Sequence, residues 1–271
     1  MNEHIAFIGG GNMASAIITG LIAKGVAPAR IDVVEPIAEQ QQKLKTQFGV
    51  QVHSQADAAL GKATVVVWAV KPQSFKEAAL QVRAYAPDAL HLSVAAGIRS
   101  DSIAAWLGSE RVVRSMPNTP ALIGKGITGL YARPTVTSAE RLLVQQVIQT
   151  TGDFIWLTGE DQLDAVTAIS GSGPAYMFYF MEAMTSAGAI MGLPREQAYE
   201  LAVATFIGAG ELARSSNEPP EILRQRVTSK GGTTYAAITS MDESNIKDLF
   251  TRAMMAAQTR AHELGNEFGD H

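Results

Sequence analysis

The beginning of the chain constrains its fold more than any other segment. A short apolar run, Ile5–Ile8, leads directly into a glycine-rich stretch that is followed by an amphipathic one. This order predicts a strand, a tight turn and a helix whose N-terminus faces negative charge, as in sites that bind the pyrophosphate of a dinucleotide. The residues predicted to bind the cofactor here are Gly9, Gly10, Gly11, Asn12, Met13 and Ala14.

Short β-branched runs alternate with helical stretches through the first half of the chain. The predicted strands are residues 5–8, 31–34, 64–70, 90–94, 112–114 and 154–157. Such alternation is typical of a parallel sheet covered by helices. A further helix is predicted within residues 135–151, with Ser138 as its N-cap.

The composition changes after about Asp161, where β-branched runs disappear and Ala, Met, Leu and Glu dominate. The second half is therefore predicted to be entirely helical. The sequence thus predicts an α/β domain over residues 1–160 and an all-α domain over residues 161–271, with the boundary between residues 158 and 164.

Composition excludes several classes of function. The 271 residues carry a formal net charge of −4, which offers no basic surface for nucleic acid. The absence of cysteine removes thiolate catalysis and disulfides, and it agrees with a reducing compartment. We expect a cytoplasmic protein without an export signal or a membrane span, because the longest charge-free apolar stretch is too short to cross a bilayer.

Three further segments follow predicted strands, at the sheet edge where ligands of such folds bind. Glu35 comes after the second strand, where an acidic group accepts from the 2′-hydroxyl of the ribose and repels a 2′-phosphate. A solvated glutamate before Pro36 is an equally good interpretation. The other residues predicted to bind the cofactor from these segments are Ala69, Val70, Lys71, Pro72, Ala95, Ala96 and Gly97. Taken singly, Pro72 would be a helix start and Gly97 an ordinary turn.

Six motifs give the chain a resemblance to the pyrroline-5-carboxylate reductase family from end to end. They are IGGGNMA (8–14), AVKP (69–72), SVAAGI (93–98), MPNTP (116–120), SGSGPAY (170–176) and VTSKGGTT (227–234). The resemblance implies an N-terminal Rossmann domain with a parallel sheet, a C-terminal helical dimerisation domain, and reduction of Δ1-pyrroline-5-carboxylate to proline. It also implies NADPH as the cofactor, with NADH as the alternative because of Glu35, and no metal.

The VTSKGGTT motif predicts a loop with hydroxyl groups and glycines that leads into a helix. Such a loop offers several N–H donors to a carboxylate, although a capped helix start is the simpler interpretation of the residues alone. By the resemblance, the substrate-binding residues are Val227, Thr228, Ser229, Gly231, Gly232, Thr233 and Thr234. Lys230 departs from the proline expected of the family, and it could add positive charge near the carboxylate.

The resemblance also assigns roles to single polar residues. Thr234 is the candidate catalytic residue, with its hydroxyl at the ring nitrogen of the substrate. Asn118 would lie beside the nicotinamide, although a rigid turn between two prolines explains the MPNTP motif equally well. Ser172 lies either in the wall of the active site or in a hinge between helices.

Two alternative functions remain open at this level. A β-hydroxyacid dehydrogenase shares the domain order, but Met177 and Met181 occupy the positions of its proton-handling lysine and asparagine. A protein that binds a dinucleotide without catalysis is the second alternative, since a fold does not prove an activity.

Overall fold

The computed structural model describes residues 3–269. Its strands are β1 (Ile5–Ile8), β2 (Ile31–Val34), β3 (Gln51–His53), β4 (Val65–Trp68), β5 (Leu90–Ser93), β6 (Val112–Met116), β7 (Gly126–Ala132) and β8 (Gly152–Trp156). They form one sheet in the order β3-β2-β1-β4-β5-β6-β7-β8. All neighbouring strands are parallel except β6 and β7. The predicted α/β fold with a largely parallel sheet is confirmed.

Helices cover the sheet and then continue alone. The helices that alternate with strands are α1 (Asn12–Ala23), α2 (Ala38–Phe48), α3 (Pro72–Val82), α4 (Ser100–Leu107) and α5 (Ser138–Ile148). Those that follow the sheet are α6 (Gln162–Val166), α7 (Gly173–Ile190), α8 (Arg195–Ser215), α9 (Pro220–Arg226), α10 (Thr233–Glu243) and α11 (Ile246–Gly269). Between α6 and α7 the chain forms a π-helical turn, Thr167–Gly171. The prediction of a helical second half is confirmed for the described residues.

The central strands are buried on both faces. Every residue of β1, β2, β4 and β5 is buried. Burial on both faces explains why β1 and β4 contain apolar residues alone, whereas β2 and β5 also bury Asp32, His91 and Ser93. Trp68 is the largest fully buried side chain, and its ring stacks on Phe75 of α3 with centroids 4.8 Å apart. Burial of one such side chain contributes roughly 1.5–3 kcal/mol to the free energy of unfolding. The buried strands therefore fix the positions of the loops that follow their carboxyl ends.

Several details differ from the sequence predictions. The bounds of β4, β5, β6 and β8 differ by one to two residues at one or both ends from the predicted 64–70, 90–94, 112–114 and 154–157. Strands β3 and β7 were not predicted, and β7 runs antiparallel to β6 because nine residues, 117–125, are too few for the helical crossover that parallel pairing needs. The N-cap of α5 is Thr137 rather than Ser138. The Thr137 hydroxyl accepts from the Glu140 N–H, while the Glu140 carboxylate accepts from the Thr137 N–H.

Packing divides the chain into two units. One comprises the chain up to Ser172 together with the chain from Ala257 onwards, and the other is Gly173–Ala256. Residues just after the predicted boundary belong to the first unit because Leu163 is buried and Val166 packs closely on Gly129 of β7. The division at residue 160 stays a prediction. Within the described residues, no helix combines the length and apolarity that crossing a membrane requires.

Candidate functional site

The segments predicted to bind the cofactor meet at one edge of the sheet. The N–H of Gly9 donates to the carbonyl oxygen of Val34, and the N–H of Ala69 donates to that of Ile8. Because β1 lies between β2 and β4, the chain leaves the sheet in opposite directions on the two sides of β1. Ligands of open parallel sheets bind at such a point, so the topology favours a site after β1.

The glycine turn after β1 combines close packing with open backbone. Gly9 has a φ of +91°, and a Cβ there would lie 2.6 Å from the carbonyl oxygen of Ala69, so only glycine fits. Gly11 is exposed, and a Cβ there would meet no atom within 4 Å. The turn is thus closed towards β4 and open at Gly11, where a ligand can reach the backbone.

The first turn of α1 leaves hydrogen-bond donors free. Gly11 is the N-cap and provides no side chain, and the first N–H of the helix with a backbone acceptor is that of Ser15. The N–H groups of Asn12 and Met13 therefore have no acceptor in the described chain. Ala14 is fully buried and lets α1 pack closely on the sheet. Free N–H groups at a helix N-terminus fit a pyrophosphate.

Glu35 is part of this turn. Its side chain is buried, with Oε2 accepting from the N–H of Gly10 at 2.9 Å and Oε1 accepting from that of Ile37 at 3.0 Å. Two backbone donors offset the cost of burying the carboxylate. Of the two interpretations that the sequence left open, the solvated glutamate is wrong.

Two glutamines that sequence reasoning missed support the same turn. Gln40 Nε2 donates to the carbonyl oxygen of Gly10 at 2.5 Å, and Gln41 Nε2 donates to that of Glu35 at 2.7 Å. Both side chains lie in the first turns of α2. No motif marks glutamines in this position, so only the structure identifies them.

The AVKP motif leads from β4 into α3. Ala69 and Val70 are half-buried against Gly9, and Lys71 is the exposed N-cap of α3. Pro72 opens the helix, where its missing N–H costs nothing. The helix-start interpretation of Pro72 is confirmed, and its predicted contact with the cofactor stays a prediction.

The SVAAGI motif is fixed by hydroxyl groups. Ser93 Oγ accepts from the N–H of Ala95, and Ser115 Oγ donates to the carbonyl oxygen of Ser93 at 2.7 Å. Ala95 is buried and Ala96 is exposed, so only Ala96 of the two faces solvent. Gly97 has a φ of +70°, and a Cβ there would lie 3.1 Å from Cβ of Leu264 in the same unit.

Asn118 joins the MPNTP and SGSGPAY motifs. Its Oδ1 accepts from the N–H of Ile127 at 3.0 Å, and its Nδ2 donates to the carbonyl oxygen of Ser170 at 3.2 Å. The side chain is buried, so both ends of the amide hold structure in place. Ser172 lies between the π-helical turn and α7.

The VTSKGGTT motif forms the connection between α9 and α10 in the helical unit. The carbonyl oxygen of Ser229 accepts from the N–H of Gly232 at 3.0 Å, and Gly231 has a φ of +75°. This geometry is a β-turn in which Lys230 takes the second position, where proline is common in other sequences. The lysine therefore preserves the turn that the family's proline would form.

Helix α10 begins beyond this turn with free donors. Gly232 is its N-cap and has no side chain to accept a hydrogen bond. The first N–H with a backbone acceptor is that of Ala236, so those of Thr233 and Thr234 have no acceptor in the described chain. The hydroxyl of Thr228 is already used within the chain, since it donates to the carbonyl oxygen of Arg224. Free N–H groups at the start of a helix are suited to a small anion.

No cluster of three or more His, Cys, Asp or Glu side chains suited to a metal ion occurs within residues 3–269. The groups described above are backbone donors, hydroxyl groups and amides. These groups position ligands and stabilise charge.

Two family models match the chain. A model described as pyrroline-5-carboxylate reductase dimerisation matches residues 160–264, and one described as NADP oxidoreductase, coenzyme F420-dependent, matches residues 4–97.

Similar proteins are known in sequence and in structure. The pyrroline-5-carboxylate reductase of Pseudomonas aeruginosa is 47% identical over 269 residues, which cover 98% of this chain and 98% of that protein. A solved pyrroline-5-carboxylate reductase from Coxiella burnetii is 39% identical with a TM-score of 0.92, covering 97% of this chain and 99% of that chain. A Plasmodium falciparum pyrroline carboxylate reductase with NADP bound is 27% identical with a TM-score of 0.86, covering 97% and 98% of the two chains. This chain belongs to the pyrroline-5-carboxylate reductase family.

Proposed function

We propose that this protein reduces the C=N bond of Δ1-pyrroline-5-carboxylate to give L-proline, with a reduced nicotinamide dinucleotide as the hydride donor. The observation that carries the proposal is the VTSKGGTT loop with its free N–H groups at the start of α10, in a chain that aligns with the Pseudomonas aeruginosa reductase over 98% of its length. The enzyme is an oxidoreductase of the last step of proline biosynthesis.

The first unit provides the residues that would hold the dinucleotide. The open backbone at Gly11 and the free N–H groups of Asn12 and Met13 fit the pyrophosphate. Segments 69–72 and 95–97 and Asn118 would line the nicotinamide end. When bound, the reduced cofactor supplies the hydride. The family model and the NADP-bound neighbour favour NADPH, whereas Glu35 favours NADH.

The helical unit provides the residues that would hold the substrate. The carboxylate would accept from the N–H groups of Thr233 and Thr234 and from the hydroxyl of Ser229. Gly231 and Gly232 would let it approach the backbone, with Val227 and Thr228 completing the loop. Lys230, exposed at the turn, adds a positive charge nearby.

The reaction adds a hydride to the imine carbon and a proton to the nitrogen, so the C=N double bond becomes a single bond. The protein has to position the imine and stabilise charge at its nitrogen, for which one hydrogen-bonding hydroxyl is sufficient. We assign this role to Thr234. None of the chain's five histidines lies in the six motifs, and we assign none of them a role in proton transfer.

We further propose a homodimer, or an assembly built from dimers, in the cytoplasm. Helix α7 exposes large apolar side chains that are unusual on a monomer surface. They include Phe178, Tyr179 and Ile190, which are 59%, 70% and 87% exposed. A second copy of the chain would cover them.

A kinetic assay separates this function from the alternatives. Purified protein is mixed with reduced dinucleotide and pyrroline-5-carboxylate, and in parallel with oxidised dinucleotide and a β-hydroxyacid. We expect oxidation of the cofactor in the first mixture only. Turnover in the second mixture alone would identify a dehydrogenase, and binding of cofactor without turnover in either would identify a non-catalytic protein.

A further inference from the structure

We propose that Glu35 makes this chain select a dinucleotide that lacks a 2′-phosphate, so that NADH is its preferred reductant. The inference rests on the proposed dinucleotide site and adds a specificity to it. It runs against the family expectation of NADPH.

The first argument is that the carboxylate cannot move away. Both oxygens of Glu35 are held by backbone N–H groups, those of Gly10 and Ile37. Gln41 holds the Glu35 backbone from α2, and Gln40 holds Gly10. A flexible surface glutamate could rotate aside for a 2′-phosphate. This one is a fixed part of the glycine turn, and moving it would leave the N–H of Gly10 without its acceptor.

The second argument is that the carboxylate keeps hydrogen-bonding capacity for a ribose. Each carboxylate oxygen can accept two hydrogen bonds, and each oxygen of Glu35 uses one on the backbone. An acidic group at the end of the second strand accepts from the ribose hydroxyls in such sites. A 2′-hydroxyl can donate to Glu35, whereas a 2′-phosphate brings only acceptors and negative charge.

The third argument concerns the charge around Glu35. In the described chain Glu35 forms no ion pair, and residues 36–42 contain no lysine or arginine. The first cation after Glu35 in the sequence is Lys43, an exposed residue in the second turn of α2. A 2′-phosphate would thus face a buried carboxylate without the arginine that usually accommodates it.

The test measures binding in the absence of substrate. Titration calorimetry with NAD⁺ and NADP⁺ should show wild-type protein binding NAD⁺ more tightly by about tenfold or more, the size of one unfavourable charge pair. Glu35→Gln removes the charge at nearly the same size, its one amide oxygen accepting from the N–H of Gly10 or of Ile37, and it should reduce this ratio by about tenfold. Glu39→Gln, a matched change at the neighbouring exposed carboxylate, should leave the ratio within about twofold.

A second measurement covers the case in which Glu35→Gln does not fold. AMP and adenosine 2′,5′-bisphosphate compete with NAD⁺ on the wild-type protein, and AMP should compete at lower concentration. The inference would be overturned, with the proposed site intact, if wild-type protein bound NADP⁺ as tightly as NAD⁺ or more tightly. An unchanged ratio of the two affinities in folded Glu35→Gln would have the same meaning. Failure to bind either dinucleotide would overturn the proposed site as well. Preference for NAD⁺ without reduction of pyrroline-5-carboxylate would support this inference while contradicting the proposed function.

Discussion

The side-chain amide of Asn118 donates from Nδ2 to the backbone carbonyl oxygen of Ser170 at 3.2 Å. In a regular helix that carbonyl would accept from the residue four positions later, which here is Pro174 and has no N–H. The π-helical turn Thr167–Gly171 ends at the same place. Asn118 therefore supplies the donor that the SGSGP sequence cannot provide for itself.

Replacement of Asn118 should destabilise the first unit. Asn118→Ala leaves the N–H of Ile127 and the carbonyl oxygen of Ser170 without partners, at about 1–3 kcal/mol each if no water replaces them. We expect the free energy of unfolding in urea to fall by about 3 kcal/mol. Asn217→Ala, at an exposed asparagine, is the control and should change it by less than about 0.5 kcal/mol. Equal stability of the two variants would show that the Asn118 bonds are dispensable.

Alanine substitutions at two glycines should distinguish the cost of backbone strain from the cost of steric crowding. Gly97 and Gly108 have nearly the same φ, +70° and +67°, but a Cβ at Gly97 would crowd Leu264, whereas one at Gly108 would meet nothing within 4 Å. Gly108→Ala should cost about 1–2 kcal/mol from the left-handed backbone alone. Gly97→Ala should cost about 1 kcal/mol more because of the contact. Thermal or urea unfolding of both variants measures the difference, and equal losses would remove Leu264 from the account of Gly97.

The buried histidine of β5 should make stability depend on pH. Burial lowers the pKa of His91 from 6.5 to about 4, and the Arg111 charge acts in the same direction. The unfolded chain takes up a proton near pH 6.5, while the folded protein stays neutral until about pH 4. The contribution of neutral His91 to the free energy of unfolding is therefore fully present above pH 6.5 and is lost as the pH falls to 4.

At pH 5 the expected loss from His91 is about 2 kcal/mol. His91→Gln keeps an acceptor for the Nε1–H of Trp68, which lies 3.2 Å from His91 Nδ1, and removes the titration. Urea unfolding at pH 7.5 and at pH 5 should show a smaller loss in the variant than in wild type. Parallel losses in the two proteins would mean that other groups cause the acid sensitivity.

The hydroxyl of Thr234 should affect turnover more than binding. Thr234→Ala should lower kcat by about ten- to a hundredfold, the effect of losing one hydrogen bond to a charged group. Thr234→Ser should restore most of the rate. Ser240→Ala, at an exposed hydroxyl later in α10, is the control. Steady-state kinetics with pyrroline-5-carboxylate measures all three, and near-normal turnover of Thr234→Ala would remove Thr234 from the mechanism.

The fold was predictable where one local rule dominated. Strands β1 and β2 coincide with their predicted ranges because each is a short β-branched or apolar run after a polar residue, interrupted in β2 only by Asp32. Strand β3 has only three residues, Gln51–His53, and β7 contains two glycines, so neither has a strong sequence pattern. Strands β3 and β7 form because they pair with β2 and β6, respectively. The capping box of Thr137 and Glu140, by contrast, follows a known sequence rule and was overlooked.

The site was predictable in its locations rather than in its contacts. Glycine spacing located the turn at Gly9 to Gly11 because Gly9 needs a positive φ and Gly11 leaves the backbone open to a ligand. The burial of Glu35 was not predictable, because it depends on N–H groups of Gly10 and Ile37 whose direction only the folded chain defines. The partner of Asn118 at Ser170 lies 52 residues away, a distance that no local pattern reports.

Transfer of deuterium tests the central claim most directly. The protein is incubated with pyrroline-5-carboxylate and nicotinamide dinucleotide carrying two deuterium atoms at C4, and the product is analysed by mass spectrometry and NMR. The account predicts L-proline with one deuterium at its δ carbon, the former imine carbon, in an amount that matches the oxidised cofactor. Proline without deuterium, or oxidation of the cofactor without proline, would contradict it.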